Sequence, residues 1–378
     1  MACTPLTSGA CEHILRGIEL LNGQNNTSFN YTPVGTLQAV MSNENRADAS
    51  FEEVNERSGS IRKVRIVRIP RATKSDANNN VSCATTTTTT FQEECIEAKK
   101  FARISWDMSK EEMQSFCEDS LKIEKGGAIS GLYKRFMEVI YSKMNGLRTY
   151  LNFDLMSTTW TNAGTNAATG NTNVVPLPFI TAADGSKIEK GIQTIISHYY
   201  SFNNLKGKPF IIGTGVFDNF NTSADYGCCN QYGFNWSLMK ENAPYNYYLD
   251  VDTLSAFTNI DNFMVLAPGA VQLVTYNDFV IDSYLQGGRP LSSLSENKFG
   301  TSRKGIIPDP LVPNLFYDLK ITEIDCDSNV NSGMETWRFS LYLHYGISTI
   351  PTGVDSPYGP LDLLYGTNGI LRYTAQAV

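Results

Sequence analysis

The sequence is short of charge, of histidine and of long apolar runs. Asp, Glu, Lys and Arg make up 18% of its 378 residues, below the roughly 25% of an ordinary soluble protein. Disorder of the whole chain is still excluded, because 42% of the residues are hydrophobic and disorder requires low hydrophobicity with high charge. Polarity comes instead from asparagine, of which there are 32. No segment approaches the roughly 20 apolar residues needed to cross a bilayer. The best run, 263–271, is interrupted by Pro268 and Gly269. Met1-Ala2-Cys3-Thr4-Pro5 lacks the basic region and the apolar stretch of a secretory signal. The net charge of −7 argues against a broad basic face that grips nucleic acid.

Motifs for catalysis are equally scarce. The eight cysteines are scattered and none forms a C-x-x-C pair, so reduced thiols are expected and no metal-ligand pattern is present. His13, His198 and His344 are the only histidines, each read as an ordinary hydrogen-bonded or exposed residue. Gly127-Ala128-Ile129-Ser130-Gly131 has the wrong spacing for a nucleophile elbow, and Gly213-Thr214-Gly215 has no third glycine for dinucleotide binding. Cys228-Cys229 has no positioned base. Asp325-Cys326-Asp327-Ser328-Asn329 begins like a calcium loop, but Val330 stands where glycine is needed and Thr336 where a bidentate glutamate belongs. A polar turn is the expectation there. No catalytic residue, cofactor or metal is expected, and the chain is not read as an enzyme.

What is present is organisation. Ile14, Leu15, Ile18 and Leu21 recur at helical spacing, predicting a short helix over 12–21. The arm from 32 to 50 has no such periodicity and reads as an extended tether. Beyond it, Arg62, Lys63, Arg65, Arg68 and Arg71 interleave with Ile61, Val64, Ile66, Val67 and Ile69, a β-rich pattern. A linker over 72–90 holds three consecutive asparagines and six consecutive threonines. The chain then resumes with Phe91 to an acidic stretch containing Glu93, Glu94 and Glu97. Antiparallel pairing of these arms would set arginines against glutamates, at about 0.2–1 kcal/mol per well-placed pair. Arms of about fourteen residues would reach about 45 Å. A helix over 94–103 is the alternative for the second arm. Read as a charge-matched hairpin or a subunit contact, the basic strand is self-consistent; as a nucleic-acid patch it lacks interleaved aromatics.

Ser109 and Glu112 form a capping-box pattern opening a helix. After Gly126-Gly127, residues Leu132, Phe136, Val139, Ile140, Met144, Leu147 and Leu151 predict a helix over 128–151, widened by Tyr133, Met137 and Tyr141. A helix is also predicted over 187–200. Short buried strands are predicted at 209–213 and 262–267, and longer ones at 315–324 and 335–347. In the last of these Trp337, Phe339, Leu341, Leu343 and Tyr345 alternate with Arg338, Ser340, Tyr342 and His344.

This order of elements resembles the major capsid protein of a tailed double-stranded DNA phage, with the fold named after phage HK97. Pro268-Gly269-Ala270-Val271 after an apolar strand, the aromatic-alternating strand from Trp337 to Gly346, and Gly366-Thr367-Asn368-Gly369 carry the resemblance. It implies an α+β chain with an N-terminal arm (1–50), an extended loop (51–104), a peripheral domain with a spine helix (105–159), an axial domain (160–311) and late peripheral strands (312–378). It further implies assembly through hexamers and pentamers into an icosahedral shell around double-stranded DNA, without sequence-specific contact. Portal, scaffold and decoration proteins are implied partners, and the virion, assembled in the host cytoplasm, the implied location. The inter-subunit contact candidates are then Arg62, Lys63, Arg65, Arg68, Arg71, Glu93, Glu94 and Glu97. A nanocompartment shell protein of the same fold, and a tail or adhesin protein, are the alternatives.

Overall fold

The fold is taken from a computed structural model. It describes residues 34–47, 49–54, 63–68, 92–109, 112, 131–164, 175–176, 179–181, 187–189, 196, 200, 205, 207–213, 245–250, 262–277, 295–296, 302–324, 336–350 and 368–374. The chain divides into two compact units: unit I draws on 33–97, 151–274 and 346–378, and unit II on 98–150 and 275–345. The described part is a mixture of helices and mainly antiparallel sheets, an α+β arrangement.

Unit I begins with a correction. The described part of the arm 32–50 is not an extended tether but two short helices followed by the start of a strand: α1 (Gly35–Met41) and α2 (Asn43–Arg46). Gly35, Thr36, Leu37, Ala39, Val40 and Met41 are all buried. A helix buried on nearly every side has no polar face, so it leaves no amphipathic period to read. A Cβ at Gly35 would stand 2.4 Å from the Leu249 carbonyl oxygen, so this close approach of two backbones requires glycine.

Asn45 ties the segment down. Its Nδ2 donates to the Val40 and Val271 carbonyls at 2.8 and 2.9 Å, and its Oδ1 accepts from the Gly269 N–H at 2.8 Å. Gly269 has φ 83°, in the turn between β10 (Asn262–Leu266) and β11 (Val271–Tyr276).

The centre of unit I is a five-stranded sheet in the order β5 (Val175–Pro176), β16 (Ile370–Thr374), β10, β8 (Phe210–Gly213), β9 (Asn246–Leu249). Val265 on β10 lies between Ile211 and Leu371, and all three are buried. The strands predicted at 209–213 and 262–267 are thus present. β16 was not anticipated in the glycine-containing tail; it pairs with β10 along its whole length. Lys187–Glu189, the start of a predicted helix, is instead a strand (β7) paired with β6 (Phe179–Thr181). Of the remainder of that prediction, Ile196 and Tyr200 are helical and buried.

Unit II holds the longest described helix, α3 (Gly131–Thr161), whose last residues belong to unit I. It runs ten residues past the predicted end at 151. The hydrophobic stripe continues through Leu155 and Met156 but is mixed with buried Asn152 and Thr159, which blur it. Threonine is a poor helix residue, yet Thr149, Thr159 and Thr161 donate their hydroxyls to carbonyls four residues back, so none is left unsatisfied. Val139, counted in the stripe, is exposed.

In unit II, β15 (Thr336–Thr349) pairs on one side with β14 (Phe316–Ile324) and on the other with β4 (Lys100–Ser109). β14 pairs onward with β13 (Ser302–Pro308), and β13 with β12 (Ser295–Glu296). The predicted alternation holds on one face, where Trp337, Phe339, Leu341, Leu343 and Tyr345 are buried. Phe339 stacks on Trp106, ring centroids 5.3 Å apart, and meets Phe136 of α3 edge-on at 6.0 Å. Ser340 and Tyr342 on the opposite face are buried as well.

Two features of unit II set its geometry. Arg148 and Asp309 form a buried ion pair at 3.0 Å. The same carboxylate oxygen, Oδ2, accepts from the Tyr317 hydroxyl at 2.8 Å, while Oδ1 accepts from the Leu311 and Val312 N–H groups. The predicted capping box is also formed: the Ser109 N–H donates to Glu112 Oε2 at 3.1 Å and the Glu112 N–H to Ser109 Oγ at 3.3 Å. The body of the helix after Glu112, the helix over 12–21, the linker 72–90, the turn 325–333, His13, His198 and Cys228-Cys229 lie outside the described residues.

Candidate assembly surface

The basic and acidic arms do pair. β2 (Lys63–Arg68) and β3 (Gln92–Glu97) are antiparallel neighbours, and β2 pairs on its other side with β1 (Ala49–Val54). The result is a three-stranded sheet separate in its pairing from the other sheets. The second arm is strand here, so the helix over 94–103 is excluded. Each described strand has six residues, about 20 Å at roughly 3.3 Å per residue; the rest of the arms, over which about 45 Å was expected, lies outside the described residues.

Register decides which charges share a face. Val64 and Ile66 are buried, so β2 turns one face to a dry environment. Lys63 and Arg65 alternate with them and fall on the other face. There Lys63 is opposite Glu97, and Arg65 is opposite Cys95 on one side and Glu52 on the other. Glu93, opposite Val67, shares this face, whereas Arg68 (opposite Gln92) and Glu94 (opposite Ile66) belong to the buried-side face. Among the described positions no arginine of β2 faces a glutamate of β3, and the one opposed cation and acid are Lys63 and Glu97. The acid opposite Arg65 comes from β1, a strand the sequence reading missed because Glu52 and Glu53 interrupt its apolar residues. Arg62 and Arg71 lie outside the described residues.

Buried polar contacts position the elements around this sheet's entry point. Asp250 Oδ2 accepts from the Thr36 N–H and from the Thr36 hydroxyl, both at 2.8 Å. Asp250 Oδ1 accepts from Asn152 Nδ2 at 3.0 Å, and Asn152 Oδ1 accepts from the Leu37 N–H at 3.0 Å. Two first-turn N–H groups of α1 are thereby capped by residues more than a hundred positions away in sequence, which fixes the segment leading into β1.

Other exposed apolar side chains are Phe101 on β4, Tyr150 and Phe153 one turn apart on α3, and Phe316 on β14. Scattered exposed residues of this kind are ordinary on a protein surface. No group of three or more His, Cys, Asp or Glu side chains is placed to hold a metal among the described residues, and none of the helices described is long and apolar enough to cross a membrane. His344 packs its ring 4.7 Å from that of Phe101.

No family model and no curated protein matches the chain. Solved structures do match. The capsid asymmetric unit of cyanophage A-1(L) is 11% identical with a TM-score of 0.45, covering 92% of this chain and 95% of its own. The capsid structure of cyanophage P-SCSP1u is 10% identical with a TM-score of 0.37, covering 84% of both chains. The capsid of Myoviridae phage XM1 is 10% identical with a TM-score of 0.32, covering 85% of this chain and 89% of its own. What the chain is similar to, over 84–92% of its length, is phage capsid structures.

Proposed function

We propose that this chain is a phage capsid shell subunit that assembles through hexamers and pentamers into an icosahedral shell enclosing double-stranded DNA. The observation that carries the reading is an order of elements. A charged three-stranded sheet, β1–β3, precedes a 31-residue helix, and the sheet beside that helix joins β4 to a late strand, β15, from more than 200 residues further on. In this reading the segment before β4, residues 51–97, forms an excursion that lies over a neighbouring subunit. Lys63, Arg65, Glu93 and Glu97 then share the face available for contact, with Arg62, Arg68, Arg71 and Glu94 beside it. The division into arm, extended loop, peripheral and axial domains belongs to the same proposal, as do a virion location and contacts with portal, scaffold or decoration proteins. The role is structural rather than enzymatic.

Electron microscopy of the purified protein tests it. Closed shells, or rings of six and five subunits, are the expected result. A monodisperse monomer at high concentration would overturn the proposal. Replacing 51–97 with a short linker is expected to leave a folded subunit, by circular dichroism, that no longer assembles.

A further inference from the structure

One face of the unit II sheet carries exposed charged and aromatic side chains along β4. Alternation along β4 sets Phe101, Arg103, Ser105 and Asp107 on the face opposite Trp106 and its buried neighbours. Register places these four across from His344, Tyr342, Ser340 and Arg338 of β15. Lys320 on β14 is the next position in the Ser340 row, and Thr322 the next in the Arg338 row. Cations from three separate segments of the sequence are thus collected on one face.

Their pairing is uneven. Arg338 is used up by Asp107, through two hydrogen bonds of 2.7 and 2.9 Å. Arg103 instead donates from Nε to Ser105 Oγ at 3.0 Å and from Nη2 to Ser340 Oγ at 3.1 Å. The two hydroxyls are 2.9 Å apart. The guanidinium is held in place by two neutral hydroxyls. No carboxylate pairs with Arg103 or with Lys320 among the described residues; the other acid on the face, Asp318, is buried. Two cations without a salt bridge among the described residues therefore stand beside the Ser105 hydroxyl, in a chain of net charge −7. Beside them Phe101 is 47% exposed, with its ring 4.7 Å from His344 and 5.7 Å from Tyr342.

Fixed cations and hydroxyls recognise phosphate oxygens, and an exposed aromatic next to them offers a platform for a base. We infer that this face binds the phosphodiester backbone of a nucleic acid, with Arg103 and Lys320 holding phosphate oxygens beside the exposed Ser105, while buried Ser340 positions the Arg103 guanidinium. Phe101 receives a base where the strand is unpaired. Successive same-face positions on β4 are about 6.6 Å apart at roughly 3.3 Å per residue, a span that lets a chain of phosphates follow the strand. An acidic protein segment would satisfy the cations but would leave the aromatic unused. This inference rests on the charge pattern of one sheet and not on the shell proposal.

Fluorescence anisotropy tests it, with the full chain, a labelled oligothymidylate and a duplex of the same length at low salt. The Arg103→Gln/Lys320→Gln double variant is expected to bind both about tenfold more weakly, with the slope of log affinity against log salt reduced by about one per cation removed. Phe101→Ala is expected to weaken the single strand and spare the duplex. Affinity and slope unchanged in the folded double variant would overturn the inference. So would competition by polyglutamate or by inorganic phosphate at the same charge concentration as the oligonucleotide. Lys320→Gln alone, read by the same slope, decides the matter if the double variant does not fold. Loss of nucleic-acid binding with shells still forming in the microscope would separate this site from the assembly contacts.

Discussion

Unit II contains the same ion pair in two settings. Arg148 and Asp309 meet beneath α3 with side chains 2% and 0% exposed, whereas Arg338 and Asp107 meet on the open sheet face at 45% and 42%. The exposed pair has the shorter contact, 2.7 Å against 3.0 Å, and the better fork, so distance is no guide to which one matters. Water solvates the open pair in either state, and separating it exchanges one set of favourable contacts for another. The buried pair has no such exchange. Removing one partner strands the other charge in a dry interior.

The largest effect is therefore expected from Arg148→Ala. About 3–5 kcal/mol should be lost in chemical denaturation, because Asp309 is left buried without its cation. Replacing both residues by apolar ones should not restore full stability, since Asp309 Oδ1 also satisfies the Leu311 and Val312 N–H groups. A double variant as stable as the original would break the comparison. Next in size is Asp250→Ala in unit I. Losing it orphans the Thr36 N–H, the Thr36 hydroxyl and one donor of Asn152, for about 1–3 kcal/mol. Faster hydrogen exchange confined to 34–41 would be the local signature.

Tyr317 supplies a pH test of the buried setting. Burial, then the neighbouring Asp309 charge, pushes its hydroxyl well above the usual tyrosine range. A folded-state value above the unfolded one gives stability that is full below the unfolded value and lost as pH rises toward the folded one. Melting temperature should thus fall at alkaline pH, and Tyr317→Phe should reduce that dependence. The smallest effect is expected from Arg338→Ala, about 0.2–1 kcal/mol and less in high salt. Hydrogen bonding to Arg338 lowers the Asp107 carboxyl. This pair's small contribution is present above the unfolded aspartate value and fades as pH drops through the folded one. A loss above about 2 kcal/mol in Arg338→Ala would mean the open face is covered in solution.

Legibility followed the same division between local and distant causes. The alternation in β15, the apolar run of β10 and the stripe of α3 were readable because each pattern repeats within one segment. The Ser109–Glu112 capping box was readable for the same reason, as both partners sit within four residues. α1 was not. Its first-turn donors are satisfied by Asp250 and Asn152, and no side chain of its own cap takes part. β1 was missed because its acidic residues look like a loop until β2 lies beside them. The candidate contact residues were collected by charge alone, and register then sorted them onto two faces.

By itself the sequence determined the absence of catalytic and metal motifs, the long helix and the late alternating strand. Periodicity and composition act along the chain, so a single chain reading recovers them. Tertiary structure alone decided that the arm is buried helix, that β16 completes the sheet beside β10, and that Arg103, Lys320 and Arg338 share one face. Each of these depends on which backbone donors, acceptors and side chains from distant segments meet. Pairing between strands 200 residues apart leaves no mark on either strand alone.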